Sequence, residues 1–272
     1  MKRVIGYSSG KDSTALFLWA REQFPLEDLI VIFDDTLWEH ELTYGYISQM
    51  SIELFRDVRC EKLVSKEYPG GMEQLVQLKG RVPSPKARFC TEHLKINPTI
   101  EFLKTIDDDF ELYDGKRRQE SEARKSIPIR EWSDWYDCWV NHPLFDWNVE
   151  QVFALAAKYN VPPNPLYLKG AGRVGCFPCV LINQRELKAY LSDPELRDEL
   201  KRRIYRLEEL CGHTFFPPNY IPKRFHTGND PKSGKTFCWA DDVFKYVESV
   251  TMDQLPLLPA STCMSIYNLC ER

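Results

Sequence analysis

Residues 7–14 of the chain read YSSGKDST, a stretch of small and polar residues. It separates two segments of different periodicity: Arg3 to Tyr7 form an apolar run typical of a buried strand, and Ser13 to Phe24 carry apolar side chains at helical spacing. Small residues allow backbone N–H groups to approach a phosphate closely, and the N-terminus of the following helix adds partial positive charge. The stretch therefore predicts an anion-binding turn between a strand and a helix.

Polar side chains strengthen this predicted anion site. Serines supply hydroxyl donors, and a lysine supplies a positive charge. The candidate nucleotide-binding residues of the turn are Ser8, Ser9, Gly10, Lys11, Asp12 and Ser13. Two of them, Lys11 and Asp12, are also candidate catalytic residues.

Further along the chain, strand-like and helical segments alternate. Leu29 to Phe33, Val58 to Val64 and Phe110 to Tyr113 are predicted strands, and Thr43 to Phe55 and Glu150 to Tyr159 are predicted helices. Strands that alternate with helices favour an α/β fold in which a parallel sheet carries helices on both faces.

The residue pattern of the chain changes after a proline-rich segment, PPNP at residues 162–165. Beyond it lie six of the nine cysteines, and a helix is predicted to begin at Asp193-Pro194 and end at Cys211-Gly212. We therefore expect a nucleotide-binding domain over residues 1–165 and a small, mostly helical, cysteine-containing subdomain over residues 166–272.

The composition narrows the class of protein. Of the 272 residues, 43% are hydrophobic and 28% charged, which is typical of a globular chain. No apolar run is long enough for a membrane span or a signal peptide, so a cytoplasmic protein is expected. Nine cysteines in such a protein indicate metal binding or thiol chemistry rather than disulfides. The net charge of −4 gives no overall sign of nucleic-acid binding.

The second strand runs into DTLWEHELT at residues 35–43. Ligands of open α/β sheets bind at the carboxyl ends of strands, so this loop should lie beside the first one. Asp35 is a candidate ligand for Mg²⁺ or for a ribose hydroxyl, and Thr36 is a candidate nucleotide contact. The preceding Asp34 is expected in a solvated acidic turn.

Two basic segments follow. Residues 88–98 read RFCTEHLKINP, in which Arg88 and Lys95 offer charge-assisted hydrogen bonds to phosphate or sulfate oxygens. Residues 114–124 read DGKRRQESEAR after a predicted strand, so that Gly115 permits a turn. The arginines of this segment are expected to form an anion clamp, since the guanidinium suits phosphate geometry. They are Arg117, Arg118 and Arg124.

These stretches, with HPLFDW at 142–147, NPLY at 164–167 and GCFPC at 175–179, occur in the order of a known family. Together they resemble the phosphoadenosine phosphosulfate (PAPS) reductase family of PP-loop enzymes, over residues 4 to 180 or so. The first stretch is similar to the PP-loop S-G-G-x-D-S, with Ser9 in place of the first glycine. Leu37 and Leu42 depart from the family's D-T-G-x-E-x-P-E-T segment. The resemblance implies a fold like that of adenine nucleotide alpha hydrolases, and an adenine nucleotide as ligand.

The cysteine pair of GCFPC forms a C-x-x-C motif, whose two thiolates can chelate one metal ion. A closed site needs further ligands, and two groupings stay open. The relatives imply a [4Fe–4S] cluster on Cys90, Cys176, Cys179 and one C-terminal cysteine, although Thr91 replaces the second cysteine of their paired motif. Alternatively, a structural zinc ion is held by Cys176, Cys179, Cys263 and Cys270, and Cys90 is a free active-site thiol.

The resemblance covers at least two reactions. Reductases of the family use a cysteine in a C-terminal E-C-G-x-H motif, which this chain lacks, and usually have a degraded PP-loop. The retained PP-loop favours cleavage of ATP, with Mg²⁺, into AMP and pyrophosphate. The adenylated acceptor would then undergo sulfur transfer, with Lys11, Asp12, Arg88 and Cys90 as catalytic residues and a sulfur donor protein as partner.

Two alternatives remain. The first is a thioredoxin-dependent reductase that binds PAPS or adenosine phosphosulfate (APS) and releases sulfite. The second is a nucleotide-binding module without turnover inside a nucleic-acid modification or defence complex, in which the basic loop from Lys79 to Lys95 touches nucleic acid. The sequence leaves the oligomeric state open, a homo-oligomer included.

Overall fold

The computed structural model describes residues 1–120 and 124–256 and is built on a six-stranded sheet of order β3-β2-β1-β4-β6-β5. Neighbouring strands are parallel except at the β5 edge, where β5 runs antiparallel to β6. The strands of the sheet are β1 (Lys2–Gly6), β2 (Leu29–Asp34), β3 (Arg59–Leu63), β4 (Phe110–Tyr113), β5 (Arg130–Ser133) and β6 (Cys138–Asn141). A separate two-stranded ribbon pairs β7 (Gly228–Asn229) with β8 (Thr236–Phe237).

Ten α-helices are found in the described part of the chain. They are α1 (Lys11–Gln23), α2 (Glu41–Glu53), α3 (Gly71–Lys79), α4 (Phe89–Thr91), α5 (Asn97–Leu103), α6 (Val149–Lys158), α7 (Pro165–Leu168), α8 (Gln184–Ser192), α9 (Pro194–Cys211) and α10 (Ala240–Ser249). A π-helical segment, Glu92–Ile96, joins α4 to α5 without a break. None of the described helices is both long and apolar enough to cross a membrane.

Helices cover both faces of the sheet, as the sequence predicted. Side chains alternate along a strand, so neighbours in β1 face opposite ways. Ile5 belongs to a core that includes residues of α1, α2 and α6. Val4 belongs to a second core on the other face, together with Phe102 of α5. Burial on both faces explains why β2 is apolar almost throughout and why Val4 and Ile5 of β1 are both apolar.

The sheet is mostly parallel, as expected, and its edge strand β5 is antiparallel. Strands β5 and β6 form a hairpin, with Trp132 directly opposite Trp139 and their ring centroids 5.6 Å apart. The guanidinium of Arg130 lies 4.0 Å from the centre of the Trp139 ring. Cross-strand aromatic pairs of this kind stabilise antiparallel strands, and no helix-length segment separates the two strands.

Between residues 182 and 256 the regular secondary structure is mainly helical. Helix α9 begins at the predicted Asp193, whose carboxylate accepts hydrogen bonds from the backbone N–H groups of Glu195 and Leu196. It ends at Gly212, which has a φ of 66° that favours glycine. The core beneath α9 continues into the sheet domain, because Leu200 and Trp38 belong to one buried cluster. A division of the chain at residues 165/166 stays a prediction.

The buried face of α9 yields the first test. Leu200 is fully buried, so Leu200→Ala should lower the free energy of unfolding by about 2–5 kcal/mol, through lost burial and the cavity left behind. The matched control is Leu78→Ala on α3, where the side chain is 66% exposed and little change is expected. Urea unfolding followed by circular dichroism measures both. Equal losses would contradict the assignment of α9 to the main core.

Candidate nucleotide and thiol site

A cavity of about 410 Å³ opens at the carboxyl ends of β1, β2 and β4, where ligands of α/β sheets bind. Its floor is formed by residues that follow these strands, among them Tyr7, Asp34 and Asp114. Its opposite wall is formed by residues between 166 and 182 and by Glu186 and Tyr190 of α8. The cavity therefore lies between the sheet domain and the helical part of the chain.

The predicted anion-binding turn forms the base of this cavity. The Ser13 hydroxyl accepts a 3.1 Å hydrogen bond from the Ser8 N–H and donates one of 3.0 Å to the Gly10 carbonyl. Ser9 has a φ of 61°, in the left-handed region that favours glycine. This is the position at which the PP-loop pattern carries its first glycine, so the backbone geometry expected for glycine is kept with serine.

Tyr167 pins the turn from the opposite wall. Its hydroxyl oxygen accepts a 2.9 Å hydrogen bond from the Lys11 N–H, the first residue of α1. A Cβ at Gly10 would lie 3.3 Å from the same oxygen, which is tighter than ordinary contact. Tyr167 belongs to the pattern NPLY, but no role was predicted for its side chain.

The residues of the turn divide between two pockets. Ser8, Gly10, Asp12 and Ser13 line the main cavity. Ser9 and Lys11 instead line a smaller and mostly apolar pocket of about 210 Å³, beside α6. Alternate residues of the turn thus face opposite ways, which the prediction of a single site did not include.

Asp12 connects the turn to the segment after β4. One carboxylate oxygen lies 2.8 Å from Lys11 Nζ, and the other accepts a 2.5 Å hydrogen bond from Arg117 Nε. The Arg117 side chain is 1% exposed. A Cβ at Gly115 would lie 3.0 Å from the Asp12 carbonyl carbon and oxygen, so the approach requires glycine. Arg117 is therefore a buried support of the turn and not a surface anion ligand.

The expected three-arginine clamp is not formed by the described residues. Arg118 points away from the cavity and pairs with Asp146 at 2.7 Å. Arg124 does line the cavity, where its guanidinium pairs with Glu120. Lys116, which the sequence did not single out, also lines the cavity. The cations available to a ligand on this side are thus Lys116 and Arg124.

The two adjacent aspartates at the end of β2 do not lie where the sequence predicted. Asp35 was expected at the ligand site and Asp34 in a solvated turn. Asp35 is buried; it pairs with Lys62 at 2.6 Å and accepts a 2.7 Å hydrogen bond from the Tyr44 hydroxyl. Burial favours a higher pKa for Asp35, but the ion pair and hydrogen bonds lower it overall. Asp34 lines the cavity instead, because consecutive side chains of a strand point to opposite sides.

A group of opposite charges lies beside the turn. Burial raises the pKa of Asp34 to about 7, although the positive charge of Lys95 opposes the shift. Burial likewise raises the pKa of Glu39, whose carboxylate accepts a 2.8 Å hydrogen bond from the Thr36 hydroxyl. Cys176 in its thiolate form, and the carboxylates of Glu39 and Asp34, in turn raise the pKa of Lys95. Thr36 supports Glu39, and Lys95 remains positively charged at the cavity wall.

Thiols occupy the other end of the cavity. Cys176 and Cys179 both line it, and Arg173 Nη2 lies 2.7 Å from Cys179 Sγ. Burial raises the pKa of Cys176 to about 12, against the positive charge of Lys95. Burial and the neighbouring Cys179 also raise the pKa of Cys90.

Arg88 does not join this end of the site. It is exposed at the start of α4 and is not part of the cavity wall. The expected role of Arg88 as a cavity cation is taken by Lys95 and Arg173, which line the wall.

The two predicted metal groupings do not assemble among the described residues. No three histidine, cysteine, aspartate or glutamate side chains in residues 1–120 and 124–256 are arranged to hold a metal ion. Cys263 and Cys270, which complete the groupings, lie outside the described residues. Ligation of a [4Fe–4S] cluster or of zinc stays a prediction, and no chemical step below depends on it.

Several wall residues had no signal in the sequence. Glu186 and Tyr190 of α8 line the cavity, and the Tyr190 hydroxyl donates a 3.1 Å hydrogen bond to Glu186. Their helix carries no motif, so only the packing of α8 brings them to the site. Arg173 stands three residues before Cys176, where its proximity to the motif was the one available hint.

Comparisons with known proteins agree with this geometry. The family model of the phosphoadenosine phosphosulfate reductase domain matches residues 2–181. A 37.8 kDa protein of Escherichia phage 186, described as uncharacterized, is 29% identical over 81% of this chain and 80% of its own length. An adenosine 5′-phosphosulfate reductase of Neisseria meningitidis serogroup B is 32% identical over 66% of this chain and 74% of its own length.

Coverage varies among the relatives. A Methanocaldococcus jannaschii protein is 30% identical over 75% of this chain, and the chain spans 49% of its length. In three dimensions, the PAPS reductase of Candida auris in its phosphate complex has a TM-score of 0.50 at 19% identity, covering 66% of this chain and 83% of that one. At this identity the structural likeness concerns the fold.

The buried position of Asp34 gives a second test. Between its ordinary pKa of 3.8 and about 7, the unfolded chain loses this proton while the folded protein keeps it, so the stability contribution falls as pH rises. Asp34→Asn removes the group. We compare the unfolding free energy of the variant with that of the wild type. The difference, variant minus wild type, should rise by at least about 1 kcal/mol from about pH 5 to about pH 7. Urea unfolding at several pH values measures this gain.

The control is Asp107→Asn, in which an exposed aspartate is replaced and no such gain is expected. If the pH curves of Asp34→Asn and wild type ran parallel, Asp34 would be ionised throughout, and its burial would have no electrostatic effect.

Proposed function

We propose a specific reaction for this chain, which belongs to the phosphoadenosine phosphosulfate reductase family. In our proposal it binds ATP, cleaves it between the α- and β-phosphates, and adenylates an acceptor that then receives sulfur. One observation carries the proposal: a single cavity is lined both by the phosphate-type turn and by the thiols Cys176 and Cys179.

The turn after β1 suits the leaving pyrophosphate. Ser8, Gly10 and Ser13 are small residues that line the cavity, so a phosphate can approach the turn closely. Helix α1 begins at Lys11 and is 13 residues long, so its positive dipole end points at the same place. The β,γ-pyrophosphate would lie in the field of this helix end.

Cations along the wall suit the α-phosphate. Lys116 and Arg124 approach from the sheet side, and Lys95 from the thiol side. Preorganised positive charge of this kind stabilises the charge that develops on phosphate oxygens during transfer. Mg²⁺ prefers oxygen ligands, and the carboxylates of Asp34 and Glu39 on the cavity wall would be its protein ligands there, with the ion neutralising phosphate charge.

The reaction divides into two displacements. An acceptor oxygen attacks the α-phosphorus, the bond to the β-phosphate oxygen breaks, and pyrophosphate leaves. A sulfur donor protein loads one of the cavity thiols with a persulfide. The terminal sulfur of this persulfide then attacks the acceptor carbon that carries the adenylated oxygen. The carbon–oxygen bond breaks, and AMP leaves with the electron pair.

The other cavity thiol then attacks the cysteine sulfur that carried the persulfide, the sulfur–sulfur bond breaks, and the acceptor leaves with the transferred sulfur. The disulfide formed between Cys176 and Cys179 is reduced by a dithiol protein of the thioredoxin class.

A second candidate is favoured by the relatives. The Neisseria protein named above is an adenosine 5′-phosphosulfate reductase, and its similarity extends over 66% of this chain. In that reaction, a thiolate attacks the sulfur of the sulfonucleotide and AMP leaves. A dithiol protein of the thioredoxin class then releases sulfite. The thiol end of the cavity would serve either reaction.

Labelled nucleotides distinguish the two. Anaerobically purified protein is incubated with Mg²⁺ and either ATP or PAPS and APS, the latter two with reduced thioredoxin, and the products are separated. AMP and pyrophosphate from ATP would support the adenylation reaction. Sulfite with inert ATP would establish a reductase, and stoichiometric binding without products would leave a nucleotide-binding module.

Lys11 provides the third test. It opens α1 and pairs with Asp12 of the cavity wall, although it faces the smaller pocket itself. Lys11→Ala leaves Asp12 with Arg117 as its partner and removes a positive charge from the turn, so we expect the rate of AMP formation to fall about tenfold. The control is Lys158→Ala, which removes an exposed lysine paired with Glu22. Undiminished AMP formation by Lys11→Ala would contradict the proposed reaction.

A further inference from the structure

Two chain segments meet at the thiol end of the cavity. The Phe177 N–H donates a 2.7 Å hydrogen bond to the Trp38 carbonyl, and Glu39 and Cys176 form an antiparallel bridge. The Trp38 indole N–H donates a 3.2 Å hydrogen bond to the Pro178 carbonyl. As a result, Cys176 Sγ lies 3.9 Å from a carboxylate oxygen of Glu39.

An arginine from α9 joins both segments. Nη1 of Arg203 donates to the carbonyls of Trp38 at 3.2 Å and Phe177 at 2.9 Å. Nη2 donates to the carbonyl of Glu39 at 3.1 Å. The guanidinium is planar and carries its donors in a fixed fork, so it can hold several acceptors in one geometry. The amine of a lysine cannot reproduce this arrangement.

The guanidinium is itself held in place. Glu199, one turn earlier on α9, pairs with Arg203 Nη2 at 2.7 Å. The other carboxylate oxygen of Glu199 lies 3.1 Å from Nε2 of His40, whose ring packs against Phe177. The Arg203 side chain is 13% exposed, so these charge-assisted contacts are shielded from water.

We infer that Arg203 is a positioning residue of the site: it fixes the Cys176 segment against Glu39. The residue lies outside the segment matched by the family model, which ends at residue 181. The inference rests on the proposed function only in the expectation that Cys176 takes part in the reaction. The positioning of Cys176 can be measured without any turnover.

The experiment measures the alkylation of individual cysteines. Native Arg203→Lys protein is treated with iodoacetamide, and labelling is followed by peptide mass spectrometry. Hydrogen bonds to charged groups stabilise the closed arrangement of this segment. Their loss should raise the population of the locally opened state, and with it the labelling rate of Cys176, about tenfold. The matched control is Arg206→Lys on the same helix, where the arginine pairs with Glu73 and Glu209 and should leave Cys176 unaffected.

Two buried cysteines separate positioning from general loss of stability. Cys138 in β6 is 4% exposed, and Cys238 is 0% exposed, so both are labelled chiefly through larger openings. If Arg203→Lys accelerates Cys176 alone, the inference holds. Equal acceleration of all three cysteines, or no acceleration beyond that of Arg206→Lys, would overturn it.

Turnover gives an independent readout. With the proposed reaction, Arg203→Lys should lower kcat for sulfur transfer about tenfold and leave KM for ATP unchanged, because the phosphate turn has no contact with Arg203. A fall in kcat that comes with an equally raised KM would count against positioning. If wild-type protein does not cleave ATP, the proposed function fails, and the labelling rates still decide the role of Arg203.

Discussion

The buried ion pair between Asp12 and Arg117 is the interaction on which the site depends. A guanidinium that is 1% exposed requires a counter-charge, and Asp12 supplies it from the first turn of α1. Removing one partner of such a pair leaves an uncompensated buried charge, which costs about 3–5 kcal/mol. The pair fixes the turn after β1 to the turn after β4, whose close approach Gly115 permits. The width of the cavity floor follows from this contact.

The opposite wall is held by different means. The Tyr167 hydroxyl accepts a hydrogen bond from the turn. Arg203 donates hydrogen bonds to backbone carbonyls of the segments that carry Glu39 and Cys176. One end of the cavity is therefore set by a buried ion pair, and the other by a cation that binds backbone oxygens. Lys95 lies between the two ends, in the field of Asp34, Glu39 and Cys176. A negatively charged ligand would meet a cation already kept protonated by these neighbours.

The sequence predicted those parts of the fold that local pattern controls. The apolar runs of β1 and β2, the small-residue turn, and the ends of α9 at Asp193 and Gly212 agree with the structure because each depends on nearby residues. The orientation of Asp34 and Asp35 was predicted wrongly. It depends on which face of β2 each side chain occupies, and on the distant partners Lys62 and Thr99. The burial of Arg117 likewise depends on a contact across 105 residues.

The two ends of the cavity come from separate stretches of the chain. The phosphate turn lies in the N-terminal strand–helix unit, while Glu186 and Tyr190 belong to α8, beyond the matched family segment. Substitutions at Glu186 or Tyr190 could therefore reshape this wall of the cavity while the turn after β1 keeps its backbone geometry, so the two parts of the cavity can vary independently.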